Sequence, residues 1–405
     1  ELSLVKNSVL EGRGETIPFV ITLKGVYSST PSIAILLVID TSLSMDGAKI
    51  FRAKQAALNI INQLRDVDYV AVYSFNARFQ KVLDLTPVSQ RKVIEDAIIS
   101  LKLGSGTDIY GTINGLINEI TSRNLTANFP VRIIFITDGK PETGRKNPDD
   151  IIEASSKLGK LGVTGLVIGV GSDYNEKILM GIAKKLKGVY EHVENPDKLM
   201  SVINEYVRVS KEISAKNVKI NFNVNPGVKI LIYNREYEVK GQTYIVDVGD
   251  VNYGETINIV GDIEIPPLTR GVFEIGTYSI SYVKPEANAI EFTPNNLIKI
   301  NVVSPSEFKG IEISEKTLVK SQIIKKAIEL EQELDRGRLK DVESKLSEIA
   351  EITLKIGDEE LTAKTMSIRD KIDRSGLTPD ISKEIASILS RIRSGRLKEK
   401  EGEGK

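Results

Sequence analysis

The sequence predicts a doubly wound α/β domain inserted in a β-sandwich and followed by an α-helical C-terminal domain. Three observations carry that expectation. Strands that are apolar on both faces alternate with helix-period stretches from residue 31 to 209; helices vanish from 210 to 305, where short strands are separated by Pro, Gly and Asn; and from 306 onward apolar residues return at helical spacing.

Residues 1–30 hold two alternating runs, Leu2–Leu10 and Ile17–Leu23, separated by the turn-like Glu11-Gly12-Arg13-Gly14. That pattern reads as a hairpin, and two strands alone are marginal, so it is expected to join the sandwich of 210–305. From 31 to 209 the expected strands are Ile33–Asp40, Tyr69–Phe75, Phe79–Leu83, Val131–Asp138, Val163–Gly171 and Gly188–Val193, with helices near 46–65, 89–101, 110–123, 148–160, 175–187 and 196–211. Runs such as Ile35-Leu36-Leu37-Val38-Ile39 have no polar face, the mark of a mostly parallel sheet covered on both sides. In the next region Val218–Val224, Val228–Tyr233, Tyr244–Val248, Ile257–Ile263, Phe273–Tyr282 and Leu297–Val303 read as sandwich strands. Beyond 305, Ile324, Ala327, Ile328 and Leu334, then Leu339, Val342, Leu346 and Ile349, fall on helical faces, and Gly337, Gly357 and Gly376 mark stops. Three or four amphipathic helices are expected over 306–405, ending in a frayed tail, Lys398–Lys405.

Composition narrows the function. The chain of 405 residues has 55 basic and 55 acidic side chains, so no global field favours polyanions, and direct nucleic-acid binding is not expected. With no Cys there is no disulfide, thiolate nucleophile or Cys-based zinc site, and a single His leaves little for His-dependent catalysis. The apolar run Ile33–Ile39 is far short of the roughly 20 residues of a membrane span, and no signal-peptide pattern opens the sequence, which reads as cytoplasmic with no membrane partner. Charged residues at 27%, no Trp and four Met fit a thermophile.

The residues that carry chemistry lie in three loops. Asp40-Thr41-Ser42-Leu43-Ser44 follows the first buried strand, Ser105-Gly106-Thr107-Asp108 follows a helix-period stretch, and Ile136-Thr137-Asp138-Gly139 ends another central strand. Ligands bind at such strand ends in doubly wound sheets. Together they resemble the von Willebrand factor A family, whose metal-ion-dependent adhesion site combines D-x-S-x-S with a distant Thr and a distant Asp. The resemblance spans about 31–209 and includes Met45-Asp46-Gly47-Ala48-Lys49 and Val167-Ile168-Gly169-Val170-Gly171; Leu43 stands where the family often has Gly. It implies a metal site of Asp40, Ser42, Ser44, Thr107 and Asp138. Two carboxylates and three hydroxyls are hard oxygen donors suited to Mg²⁺, or to Mn²⁺ or Ca²⁺. Such a site recognises a partner's Asp or Glu.

No catalytic or nucleotide-binding set competes with this reading. Ser42 occupies the position where an aspartyl phosphotransferase wants its second Asp, Gly169-Val170-Gly171 lacks a third glycine, and no phosphate-cradling loop with Gly-Lys-Ser/Thr exists. His192, alone on a late strand, reads as structural. An enzyme is not expected.

In 306–405 stand 21 Lys or Arg and 21 Asp or Glu, a locally neutral segment whose sign a few phosphates would change. Phosphorylation candidates there are Thr353, Thr362, Thr365, Ser367, Ser375 and Thr378; Thr378, before Pro379-Asp380, also reads as a helix N-cap. The order of modules resembles the archaeal von Willebrand A proteins of the archaellum regulatory network, and less closely the inner-shell proteins of vesicle coats. The first resemblance implies a regulatory interaction protein that binds a forkhead-associated (FHA) domain partner, is a substrate of Ser/Thr protein kinases and represses archaellum expression. The second implies the alternative, a scaffold or coat-like assembly subunit.

Overall fold

The computed structural model describes residues 1–399, apart from the side chain of Lys309. In chain order the strands are β1 (Leu2–Leu4), β2 (Ser8–Leu10), β3 (Glu15–Lys24), β4 (Ala34–Asp40), β5 (Tyr69–Phe75), β6 (Phe79–Pro87), β7 (Val131–Thr137), β8 (Thr164–Val170), β9 (Val189–Val193), β10 (Ile213–Val224), β11 (Lys229–Ile232), β12 (Tyr237–Lys240), β13 (Thr243–Asn252), β14 (Thr256–Ile265), β15 (Gly271–Val283), β16 (Ile290–Phe292) and β17 (Asn296–Val303). The helices are α1 (Ala48–Gln63), α2 (Arg91–Ile99), α3 (Ile109–Ser122), α4 (Leu125–Asn128), α5 (Pro148–Lys160), α6 (Glu176–Lys185), α7 (Leu199–Ser210), α8 (Glu315–Arg336), α9 (Leu339–Ile356), α10 (Glu359–Ser375) and α11 (Pro379–Arg393). No helix among the described residues is long and apolar enough to cross a membrane.

Two compact units emerge, one made of 27–214 with 378–390, the other of 1–26, 215–377 and the described residues from 391 on. In the unit of 27–214, six strands lie in the order β6-β5-β4-β7-β8-β9. All pairs are parallel except β5 with β6. Every residue of β4 and β7 is buried. The two faces feed separate cores: Ile35, Leu37 and Ile39 pack with α1 and α7, while Leu36 and Val38 pack with Ile113, Leu116, Ile178 and Ile182. The double-sided apolar runs exist because helices cover both faces. Helix starts follow capping chemistry: Asn147 accepts from Asp149 N and Asp150 N, Pro148 opens α5, and Asn175 caps α6 in the same way. The ends of 27–214 meet at an antiparallel bridge in which Ser29 and Ile213 exchange both backbone hydrogen bonds, at 3.2 and 2.8 Å.

The segment 378–390 completes this unit. Ala386 sits in the core beside Tyr190, and the Tyr190 N–H on edge strand β9 donates to Ser390 Oγ at 2.9 Å. Ser387 donates to the Glu191 carboxylate at 3.0 Å. Thus α11 covers a sheet edge that would otherwise expose unpaired backbone. The expected helical region 306–405 is therefore divided: α8, α9 and α10 lie in one unit and most of α11 in the other.

In the other unit the strands form sheets ordered β1-β3-β14-β11 and β12-β13-β10-β15-β17-β2, with β16 added on β15. Ile17, Phe19 and Ile21 from the first share one apolar core with Ile220, Phe222, Ile298 and Ile300 from the second. The run Leu2–Leu10, expected as one strand of a hairpin, is split. Leu2–Leu4 pairs with β3, whereas Ser8–Leu10 pairs in parallel with β17 of the other sheet. Helices α8, α9 and α10 follow, and Gly337 and Gly357 end α8 and α9 in the left-handed region at φ 65° and 90°, as their position implies. Of the expected frayed tail, Lys398 and Glu399 are tied down: Lys398 N donates to Asp358 Oδ2 at 2.9 Å, and Glu399 pairs with Lys320 at 2.6 Å. The rest, 400–405, lies outside the described residues.

Candidate metal centre

Strand β4 ends on Asp40 and β7 is followed at once by Asp138, so the parallel pairing of these neighbours brings both carboxylates to the same edge of the sheet. Both are buried, at 0% and 1% exposure. After Asp40 the chain makes a short 3₁₀ turn, Leu43–Met45, pinned by the fully buried Met45, which leaves Ser42 and Ser44 facing the carboxylates. Thr107 arrives from a third loop. That loop is stitched in by Gly104 N to Thr41 O (2.8 Å) and Asp108 N to Asn76 O (2.8 Å), while Glu142 N and Thr143 N both donate to Thr107 O (2.9 and 3.1 Å).

The polar groups form a continuous set. Ser42 N donates to Asp40 Oδ1 at 2.7 Å and Thr137 Oγ1 to Asp40 Oδ2 at 2.6 Å. Ser42 Oγ and Ser44 Oγ are 2.9 Å apart, and Ser44 Oγ donates to Asp138 Oδ1 at 2.7 Å. A Cβ on Gly139 would sit 3.4 Å from Thr107 Oγ1 and 3.7 Å from Asp40 Oδ2, so this glycine lines the point where those oxygens converge. Asp108, beside Thr107, is occupied otherwise: its Oδ1 caps α3 through Gly111 N at 2.8 Å.

Burial pushes the Asp40 carboxyl up to about 6, and the nearby Asp138 adds to this, while the hydrogen bonds from Thr137 and Ser42 oppose it. A desolvated carboxyl beside a second carboxylate is an arrangement that gains from a cation.

Residues 34–205 match the model of the von Willebrand factor type A domain. This chain carries a von Willebrand factor A domain. Among curated relatives, the uncharacterized protein sll0103 of Synechocystis is 24% identical over 62% of this chain and 61% of its own length. This chain thus spans less than two thirds of that relative. Among solved structures, the ArnB paralog VWA2 of Sulfolobus acidocaldarius superposes with a TM-score of 0.72 at 19% identity, covering 98% of both chains. A von Willebrand factor type A protein of Catenulispora acidiphila gives a TM-score of 0.78 at 17% identity over 98% and 97%. Fold is therefore shared along nearly the whole chain, not only over the von Willebrand A domain.

Within the von Willebrand A domain all five residues named from the sequence reach one edge, and the set fits a hard divalent ion: two carboxylates, three hydroxyls, no nitrogen or sulfur. No group of three or more Asp, Glu, His or Cys at metal-binding spacing occurs among the described residues, so any ion here would rely on hydroxyls to complete its shell. Two contacts escaped the sequence reading, Thr137 on Asp40 and Lys49, whose Nζ lies 2.5 Å from Asp138 Oδ2. Thr137 adjoins a named carboxylate, and Lys49 closes the Met45–Lys49 stretch of the family resemblance on the opening turn of α1; position was the available signal.

The remaining candidates are scattered. Thr353 and Thr365 are fully buried and Thr362 nearly so; Thr362 Oγ1 donates to Asp358 O at 2.8 Å, and Thr365 Oγ1 to Leu361 O at 2.7 Å. A kinase cannot reach these three without local opening. Ser367 and Ser375 are exposed, and Thr378 is half-buried with its Oγ1 accepting from Ile381 N at 3.3 Å. His192 Nδ1 meets Tyr174 Oη at 2.5 Å in a cluster with Tyr190, a packed structural position, and burial holds its pKa down.

Proposed function

We propose that this chain is a non-enzymatic protein-interaction module, whose von Willebrand A domain holds a divalent ion, Mg²⁺ or else Mn²⁺ or Ca²⁺, through Asp40, Ser42, Ser44, Thr107 and Asp138. The observation that carries the reading is the convergence of two buried carboxylates and three hydroxyls at one sheet edge. A bound divalent ion supplies an electrophilic position for a carboxylate of the partner. The protein's own groups do the rest: Thr137 and Ser42 N fix Asp40, Ser44 orients Asp138, and Met45 anchors the turn.

For the wider role, the proposal is a regulatory protein of the archaellum network, located in the cytoplasm, that binds an FHA-domain protein, is phosphorylated by Ser/Thr kinases and represses archaellum expression. It is supported by the module order and by the fold shared with an ArnB paralog. Accessibility favours Ser367, Ser375 and Thr378 as the modified residues over Thr353, Thr362 and Thr365. The von Willebrand A region is taken as an insertion between strands of a β-sandwich. The test is a pull-down of the co-purifying partner with kinase-treated protein, untreated protein and Asp40→Ala. Metal- and phosphate-dependent capture is expected; equal capture by all three refutes the reading.

A further inference from the structure

Lys49 is oddly placed for a helix surface residue. It stands in the first turn of α1, where a cation opposes the helix dipole, and that turn has neither an acidic residue nor a side-chain cap to compensate. Its side chain is only partly exposed. It reaches 2.5 Å from Asp138 Oδ2 and 3.3 Å from Ser44 O, with the Asp138 side chain fully buried and the lysine 29% exposed. The route is shaped by Gly171, held at φ 74°, where a Cβ would sit 3.4 Å from Lys49 Cε and 3.6 Å from Nζ. Ser44 Oγ and Lys49 Nζ thus divide the two oxygens of Asp138 between them.

We propose that Lys49 is the internal counter-cation of the metal centre: it holds Asp138 in place when no divalent ion is bound, and competes with that ion for the same carboxylate. This rests on the metal reading above. The electrostatics follow from charge counting. Asp40 and Asp138 carry up to two negative charges and Lys49 one positive, so a divalent ion binds against a like charge and leaves the loaded site net positive, a state that favours an anionic partner group. Lys49 therefore trades metal affinity for readiness to accept a carboxylate.

Calorimetric titration of the full chain with Mn²⁺ tests this on wild type, Lys49→Met, Lys49→Gln and Lys49→Arg, with thermal melting in chelator alongside. The neutral variants are expected to bind Mn²⁺ about tenfold more tightly, to melt lower than wild type in chelator and to recover when Mn²⁺ saturates the site; Lys49→Arg should stay near wild type. Neutral variants that require Mn²⁺ to fold support the proposal in the same way. Wild-type binding with unchanged or weaker binding by both neutral variants overturns the counter-cation and leaves the metal reading standing. No heat from any of the four chains overturns both.

Discussion

Asp40 sets stability against the proposed metal binding. Its folded pKa of about 6 lies above the ordinary value of 3.8, so the stabilising contribution of this group is fully present below about pH 4 and is lost as pH rises through 6. At pH 8, without metal, the buried carboxylate is a cost. Asp40→Asn keeps an acceptor for Ser42 N and a partner for Thr137 Oγ1, so it should raise the metal-free stability at pH 8 by about 1–3 kcal/mol while weakening Mn²⁺ binding by about 100-fold or more. Melting curves and calorimetry on the same sample check both halves. His192 has the opposite sign. Burial lowers its pKa, so its contribution is complete above about pH 6.5 and is lost on acidification, with Asp380, Glu384 and Glu194 offsetting and Lys383 adding to the effect. The melting temperature of His192→Gln should fall less between pH 7 and pH 5 than that of wild type. At this scale the five residues that meet at the sheet edge were legible, because their oxygen-bearing types stand out together in three loops. Thr137 and Lys49 were not, because ordinary hydroxyls and surface lysines carry no signature until the fold aims them.

Elements differ in how much of them local sequence encodes. The central strands β4, β5, β7 and β8 could be read from apolar content alone, since burial on both faces leaves no polar alternation to misread. Strands β12 and β16 were missed: Tyr237–Lys240 and Ile290–Phe292 are short and mostly exposed, so neither burial nor period marks them. The splitting of Leu2–Leu10 was invisible for another reason. Period fixes which face a residue takes, not which sheet its strand joins. Close approach between helices gives a sharper prediction. A Cβ on Gly159 of α5 would lie 2.0 Å from Lys185 O at the end of α6, and a carbonyl cannot swing aside as a side chain can. Gly159→Ala should cost about 3 kcal/mol, read as a lower urea midpoint with unchanged slope. Thr378→Ala removes the cap of α11 and should cost about 1 kcal/mol by the same measurement.

For the molecule as a whole, the C-terminal helical stretch could be recognised but its allegiance could not. Helical spacing shows that Ile381, Ile385, Ile388, Leu389 and Ile392 are apolar together, and all are buried, yet nothing local says against what. Ending the chain after Leu377 would strip Ser390 from Tyr190 N and Ala386 from the core of 27–214, and would also remove Arg391 from Asp358, an ion pair at 3.1 Å within the other unit. Calorimetry should then register lower melting for both units, not for one alone.

The bridge between Ser29 and Ile213 bears on the order of folding. Strand β3 pairs Thr22 with Asn258, side chains that also share a hydrogen bond across 236 residues of sequence, a distant closure for an unfolded chain. Once 27–214 has folded, its ends are held side by side, and the loop left to close shrinks to roughly 50 residues, a saving of ~1.4 kcal/mol in closure entropy. Synthesis runs in the same direction: Ile213 leaves the ribosome before any residue of β14, so the middle of the chain can act as a clamp that presents β3 to strands not yet made. Cutting that clamp by Ile213→Pro, which removes the N–H that Ser29 O accepts, should slow refolding of the unit containing β3 more than it speeds unfolding.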